Sequence, residues 1–289
     1  MHKLLITSLF SIIIILMLFC DSYSQNGVRK KIFDAQKDAA YNFLTNANRP
    51  SPDFSSDMIN KEKWALDIAG ATDGNYPEVS VTGTYGLTDK INLSSTVTVF
   101  TTNYNLNGNK FTGFGDILLN SRFTLSEGEI FSHFAQVSVK IPTAKSDDQL
   151  GTGKPDYHAG LIGNYSKENL SIDLSASLDM LGRPDFPVSN KKLPAIVQQE
   201  IDSVKQFYDF TFQPNYSISF YPTYAVSDNV SLSAGIDFSR DMKLNSNSST
   251  FYLGLGYDFS DKASFSFGSD FNIINSSDYN ISGDLTLSF

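Results

Sequence analysis

The sequence predicts an all-β protein, a transmembrane antiparallel up-and-down β-barrel of about twelve strands, and three observations carry that expectation. Long stretches alternate apolar and polar residues one by one. Short connections take turns with mostly longer ones along the chain. An aromatic residue also recurs at a fixed distance before several of the short connections.

The alternation begins near Lys63 and is clearest where Leu170, Ile172, Leu174, Ala176, Leu178 and Met180 interleave with Ser171, Asp173, Ser175, Ser177 and Asp179. Side chains alternate across a strand, so one face is apolar and the other polar. Val79, Val81, Gly83 and Tyr85 repeat the pattern, as does the closing run from Tyr279 to Phe289. A soluble sandwich can alternate too, but its strands average about 5–6 residues. These run about ten or more, matching the roughly 9–11 that cross a bilayer obliquely. Averaging over such a pattern hides the membrane signal, which is why a mean hydropathy of −0.17 does not argue for a soluble protein.

Strands are expected near 63–71, 77–87, 91–103, 114–125, 130–141, 156–165, 170–182, 207–226, 230–241, 249–259, 263–274 and 279–289. The links at Thr88–Lys90, Ser126–Glu129, Ser166–Asn169, Ser227–Asn229 and Ser260–Lys262 are short. The other set includes longer links at Asn105–Thr112, Pro142–Pro155 and Gly182–Lys205, with short members near Asp73 and Ser276. Short periplasmic turns, longer external loops and an even strand count are the outer-membrane pattern.

YGLTDK, FTLSEG, YAVSDN and YDFSDK each place an aromatic residue three positions before a Ser or Thr followed by an acid. Tyr85, Phe123, Tyr224 and Tyr257 are therefore expected at one height, with Tyr165 close by and Phe289 ending the last strand there. Such a ring is an aromatic girdle at the periplasmic interface of a membrane.

The N-terminus reads as an export leader over 1–24, with Lys3, an apolar run from Leu4 to Phe19, and Ser22 and Ser24 placing cleavage before Gln25. Cys20, the one cysteine, falls inside it, so the processed chain has no disulfide, Cys-based zinc site or Cys nucleophile. Residues 25–62 differ from the barrel at 63–289. Val28 to Leu44 is helix-compatible, and Asn48 to Ser56 reads as a linker. This segment is a periplasmic extension, or a plug entering the barrel from below. A net charge of −9 argues against nucleic acid as a partner; lipid is the expected surroundings.

If the apolar set faces lipid, the lumen receives Asp67, Glu78, Asp116, Asp173, Asp179, Asp209, Asp237, Asp270 and Asp284, with Arg122 and Lys140 as the clearest cations. Carboxylates lining a pore select by charge, so an open lumen would favour cations or polar neutral solutes. The same residues would equally fill a closed interior with ion pairs, leaving a structural or surface-interaction barrel that works through its loops. Pro214 and Pro222 each remove a ladder donor and predict a bulge or gap in the eighth strand. His133 falls on the lipid-side parity, while His158 follows Asp156 at the outer rim. No nucleophile motif, phosphate loop or metal-ligand spacing is found, so neither enzyme activity nor a cofactor or metal is expected.

YGLTDKINLSSTVTVF, GFGDILLNSRFTL and VSVKIPTAKSDDQLGTGKPDY resemble the outer-membrane barrel family named for the MetA pathway of phenol degradation. Gly113-Phe114-Gly115-Asp116 matches its strand-opening motif. Ile141-Pro142-Thr143 with Gly151-Thr152-Gly153 matches its loop motif, except that Ala144 replaces a glycine. The resemblance covers roughly 78–182 and implies a barrel that passes small, often aromatic or hydrophobic, molecules. The C-terminal strand ending on Phe289 also looks like the signal read by the barrel-assembly machinery, which suggests that machinery as a partner.

Overall fold

One-by-one alternation resolves into two faces of a closed sheet. The structure, a computed structural model, describes residues 52–72, 77–104, 110–144, 150–182, 212–242, 246–273 and 279–289. The expected leader, the helix-compatible stretch from Val28 to Leu44 and Asp209 lie outside these residues.

The strands are β1 (Trp64–Thr72), β2 (Glu78–Thr88), β3 (Ile91–Tyr104), β4 (Lys110–Gly113), β5 (Ile117–Ser126), β6 (Phe131–Ile141) and β7 (Asp156–Lys167). They continue as β8 (Leu170–Gly182), β9 (Phe212–Ser227), β10 (Val230–Asp241), β11 (Ser246–Ser260), β12 (Ala263–Asn272) and β13 (Tyr279–Ser288). Each pairs antiparallel with its neighbours. β1 joins β13, and β2 joins β3, so the staves close into a ring, and among the described strands β4 alone is paired on one side only, against β3. Closure satisfies the backbone without water, as a wall in hydrocarbon requires.

The thirteen described strands make twelve staves. β4 and β5 both pair with β3 and keep one register on it, so they are two halves of one interrupted stave. The expected strand over 114–125 is corrected here: Phe114, Gly115 and Asp116 form the interruption, and pairing resumes at Ile117. The physical reason is local. Gly115 donates to the Thr98 carbonyl at 2.8 Å, and a Cβ on it would lie 2.7 Å from the Thr98 Cβ. The β3 stretch beyond Thr98 itself bulges against β2 between Val79 and Ser80.

The faces are inverted relative to a soluble protein. Leu161 is 60% exposed and Leu174 54%, whereas Lys140 and Asp116 on the inner face are 0% exposed. An apolar exterior around a polar interior is what lipid selects. Of the two prolines, Pro214 sits in a continuous β8–β9 ladder. Beside Pro222 the ladder to β10 lapses between Ser233 and Ile236 without changing register. The outcome is a local gap facing β10 and no bulge at either proline.

The turn chemistry explains the repeated motif at the short connections. Thr88, Ser227 and Ser260 hydroxyls accept the amide two residues ahead, from Lys90 at 3.1 Å, Asn229 at 3.4 Å and Lys262 at 3.3 Å. Carbonyls near these turns then accept an amide from the adjoining hairpin: Lys90 from Thr124, Ile130 from Ser166, Asn169 from Ala225 and Asn229 from Asp258. Lys63 accepts from Gly86 in the same way.

Candidate lumenal site

The five donors just named directly follow Phe123, Tyr165, Tyr224, Tyr257 and Tyr85 in the chain. Each of those aromatics is therefore one residue above the rim bond of its stave. Phe289 exchanges backbone bonds with Trp64 at the seam, at 3.2 and 2.8 Å. Three further aromatics join this level: Trp64 lies 4.6 Å from Tyr85, Phe131 5.2 Å from Tyr165 and Phe259 5.1 Å from Tyr257, between ring centroids. The sequence signal for them was their place at the first or last outward position beside a short turn. At the opposite end Tyr157 meets Phe212 at 5.8 Å.

Inside, the expected lumenal residues divide into three groups. The first is a clasp at the outer mouth. Lys140 on β6 reaches Asp116 Oδ2 at 2.9 Å and Asp156 Oδ2 at 3.2 Å, and also donates to the Thr152 hydroxyl. Asp116 Oδ1 accepts the amides of Thr143 and Ala144, both at 3.0 Å, and Asp156 Oδ1 accepts the Gly182 amide at 2.6 Å. Gly151 packs against this cluster, where a Cβ would lie 2.7 Å from Asp116 Oδ1. The GFGD and IPTA…GTG motifs thus converge on one buried lysine. Beside them His158 Nδ1 lies 2.8 Å from Asp179 Oδ1. Asp116, Lys140 and Asp179 face inward, but they are sequestered in these bonds and do not form a wall exposed to a water column.

The second group holds an arm. Residues 52–60 run along the lumen before β1, from the turn-side rim upward. Asn60 meets Gly86 at the rim, and Phe54 covers Gly160, nearer the outer end of β7. Arg122 spends its guanidinium on three acceptors: Gln136 Oε1 at 2.9 Å, the Asp57 carbonyl at 2.5 Å and the Asp53 carbonyl at 3.0 Å. Asp173 accepts the Ser56 amide at 3.3 Å and its hydroxyl at 3.1 Å, and is itself fixed by Asn164 at 2.6 Å. Asn92, with its amide oriented to suit, bonds both the N–H and the C=O of Ile59. Asn92 and Gly160 were not singled out in the sequence, although both fall on the inward parity.

The third group is an acidic arc formed by β10, β12, β13 and β1. Asp67, Asp237, Asp270 and Asp284 face inward and are half-buried. Among the described residues none of the four has an ion pair with a lysine or arginine. Tyr221 lies over Gly235 and donates to Asp237, and Tyr252 crosses Tyr221 edge-on at 5.9 Å. Glycines at 235, 254 and 268 let these rings lie close to the wall. Glu78 stands apart, near the Thr98 hydroxyl at 3.5 Å.

Outside the lumen, His133 Nδ1 pairs with the Ser126 hydroxyl at 2.9 Å beside a short turn. Among the described residues no group of three or more His, Cys, Asp or Glu is placed to hold a metal ion.

No family model matches the sequence, and no curated protein matches it either. Solved structures do. The NanC porin superposes with a TM-score of 0.50 at 10% identity, over 78% of this chain and 98% of that one. The transport unit of the autotransporter AIDA-I from Escherichia coli also reaches 0.50 at 10% identity, over 88% of this chain and 98% of that one. At that identity the likeness concerns the fold, and this chain is an antiparallel β-barrel of the architecture seen in outer-membrane proteins.

Proposed function

We propose that this protein is an outer-membrane channel of a Gram-negative bacterium that passes small molecules through an acid-lined lumen. The observation that carries the reading is the arc of Asp67, Asp237, Asp270 and Asp284, which face inward without a cation partner among the described residues. A carboxylate packed into a dry interior without a counter-charge is costly by several kcal/mol or more. Four of them within the five consecutive staves from β10 to β1 call for water, and water along that side of the lumen is a pathway. Its charge favours cations and polar neutral solutes over anions.

The motif resemblance to the MetA-pathway barrels supports the same class and points to small aromatic or hydrophobic solutes. In this reading residues 1–24 are an export leader, residues 25–62 an N-terminal extension and residues 63–289 the barrel. The strand closing on Phe289 is what the barrel-assembly machinery would read. Transport needs no catalytic group, and we assign none.

A closed, structural barrel is the second reading, and the lumenal arm with the outer clasp is the observation that favours it. Single-channel recording under a salt gradient separates the two. A cation-selective reversal potential that collapses toward zero in the Asp270→Asn/Asp284→Asn variant supports the channel. A silent bilayer, with heat-modifiable migration proving the barrel folded, supports the closed form.

A further inference from the structure

We propose that the lumen contains a built seat for an extended peptide, and that residues 52–60 of the same chain occupy it as a releasable plug. The inference rests on the channel reading and adds to it what closes the pathway.

The bonds between wall and arm are aimed mostly at backbone. Arg122 on β5 grips two carbonyls, those of Asp53 and Asp57. Asp173 on β8 holds the Ser56 amide, and Asn92 on β3 takes both polar groups of Ile59. An extended strand offers its N–H and C=O groups sideways, and a β-addition would satisfy them from a sheet edge. A closed barrel has no edge, so side chains from three staves do the work instead. The wall is also shaped for the arm. A Cβ on Gly160 would lie 2.5 Å from the Phe54 ring, and one on Gly86 would collide with the Asn60 carbonyl.

The seat is one-sided. Its holding residues belong to β3, β5 and β8, whereas the carboxylates with no ion pair among the described residues belong to β10, β12, β13 and β1. The arm's Asp53 acts on Asp67 and Asp284 of that arc, whereas Asp57 lies beside Arg122 and Asp173 on the holding flank. An occupant held by hydrogen bonds on one flank and facing like charge on the other is built to leave. Departure of the arm would widen the path along the acidic arc without unfolding any stave.

The test uses a full chain carrying Ser56→Cys and Asp173→Cys, exported to the outer membrane and purified from it. The only natural cysteine is Cys20. A short bifunctional thiol reagent that breaks on reduction ties the arm to β8. We expect the tied barrel to show at least a several-fold lower open-state conductance or open fraction than the same sample after reduction, with each single-cysteine variant unaffected by the reagent. Arg122→Ala should raise the open fraction of the otherwise natural chain. Failure to cross-link, or equal conductance tied and reduced, overturns the plug and leaves the channel standing. Silence of the tied, reduced and Arg122→Ala barrels, all migrating as folded, overturns the channel reading and the plug with it.

Discussion

Lys140 Nζ lies 2.9 Å from Asp116 Oδ2 although the two residues come from separate motifs, one at the end of β6 and the other in the interruption between β4 and β5. Both side chains are fully buried, and Asp156 closes the triad at 3.2 Å. Removing the cation would leave two buried carboxylates facing each other. Lys140→Met is therefore expected to cost about 3–5 kcal/mol. The measurement is the urea midpoint for loss of the compact gel band, and an unshifted midpoint would refute the clasp's structural role.

Gly115→Ala tests the interruption itself. A methyl there must displace the Thr98 side chain, which is buried in β3. Overpacking of this kind costs about 1–3 kcal/mol. The same thermal or urea midpoint reports it, and Gly83→Ala, where a Cβ meets nothing within 4 Å, is the control expected to show little change.

Gly160→Leu should act on the arm and spare the barrel. The new side chain would occupy the space of the Phe54 ring. The expected result is a folded barrel with a higher open fraction, together with faster proteolytic cleavage within 52–60. A barrel that opens no more often than the natural chain counts against Phe54 as part of the closure.

Asp57 gives the arm a pH dependence of defined sign. Enclosure by the barrel wall first, then the neighbouring Asp53, push its carboxyl above the ordinary carboxylate range, with Asp173 adding and Arg122 and a Ser55 hydrogen bond opposing. The seated arm therefore binds a proton more readily than the released arm. Its seat is strongest below the ordinary value of 3.8 and weakens as pH rises from there through the seated value. The open fraction should be larger at neutral pH than in acid, and Asp57→Asn should flatten that difference. A pH response unchanged in the variant would assign it to other groups.

Phe289→Ala tests the assembly signal. The residue's backbone bonds to Trp64 remain, so refolding into lipid in vitro should change little. Yield in the outer membrane should fall severalfold if the assembly machinery reads the ring.

The sequence made the barrel legible because strand periodicity depends only on neighbours in the chain. Leu170 to Met180 declare their two faces without reference to any partner. The common level of Tyr85, Tyr224 and Tyr257 was legible for the same reason, since YGLTDK, YAVSDN and YDFSDK fix both the hydroxyl-capped turn and the aromatic three residues earlier. Which lumenal residues act together was not legible. Asp173 and Asp270 look alike in a one-dimensional pattern, yet one holds Ser56 and the other has no ion pair among the described residues. That distinction depends on pairings between staves far apart in sequence and on an arm that carries no alternation of its own. The break at Phe114–Asp116 was hidden because it shows only in the pairing with β3, on which the segments before and after it keep one register.

The arm is joined to β1 through only a few residues, with Glu62 and Lys63 bonded at the rim beside Gly86 and Asn60. A ligand tethered so closely meets its site at an effective concentration on the order of millimolar or above. Release and return are then unimolecular and independent of how many copies the membrane holds. A free peptide or solute competing for the same side chains must match that local concentration, so weak binding of each individual contact is enough to keep the natural occupant in place.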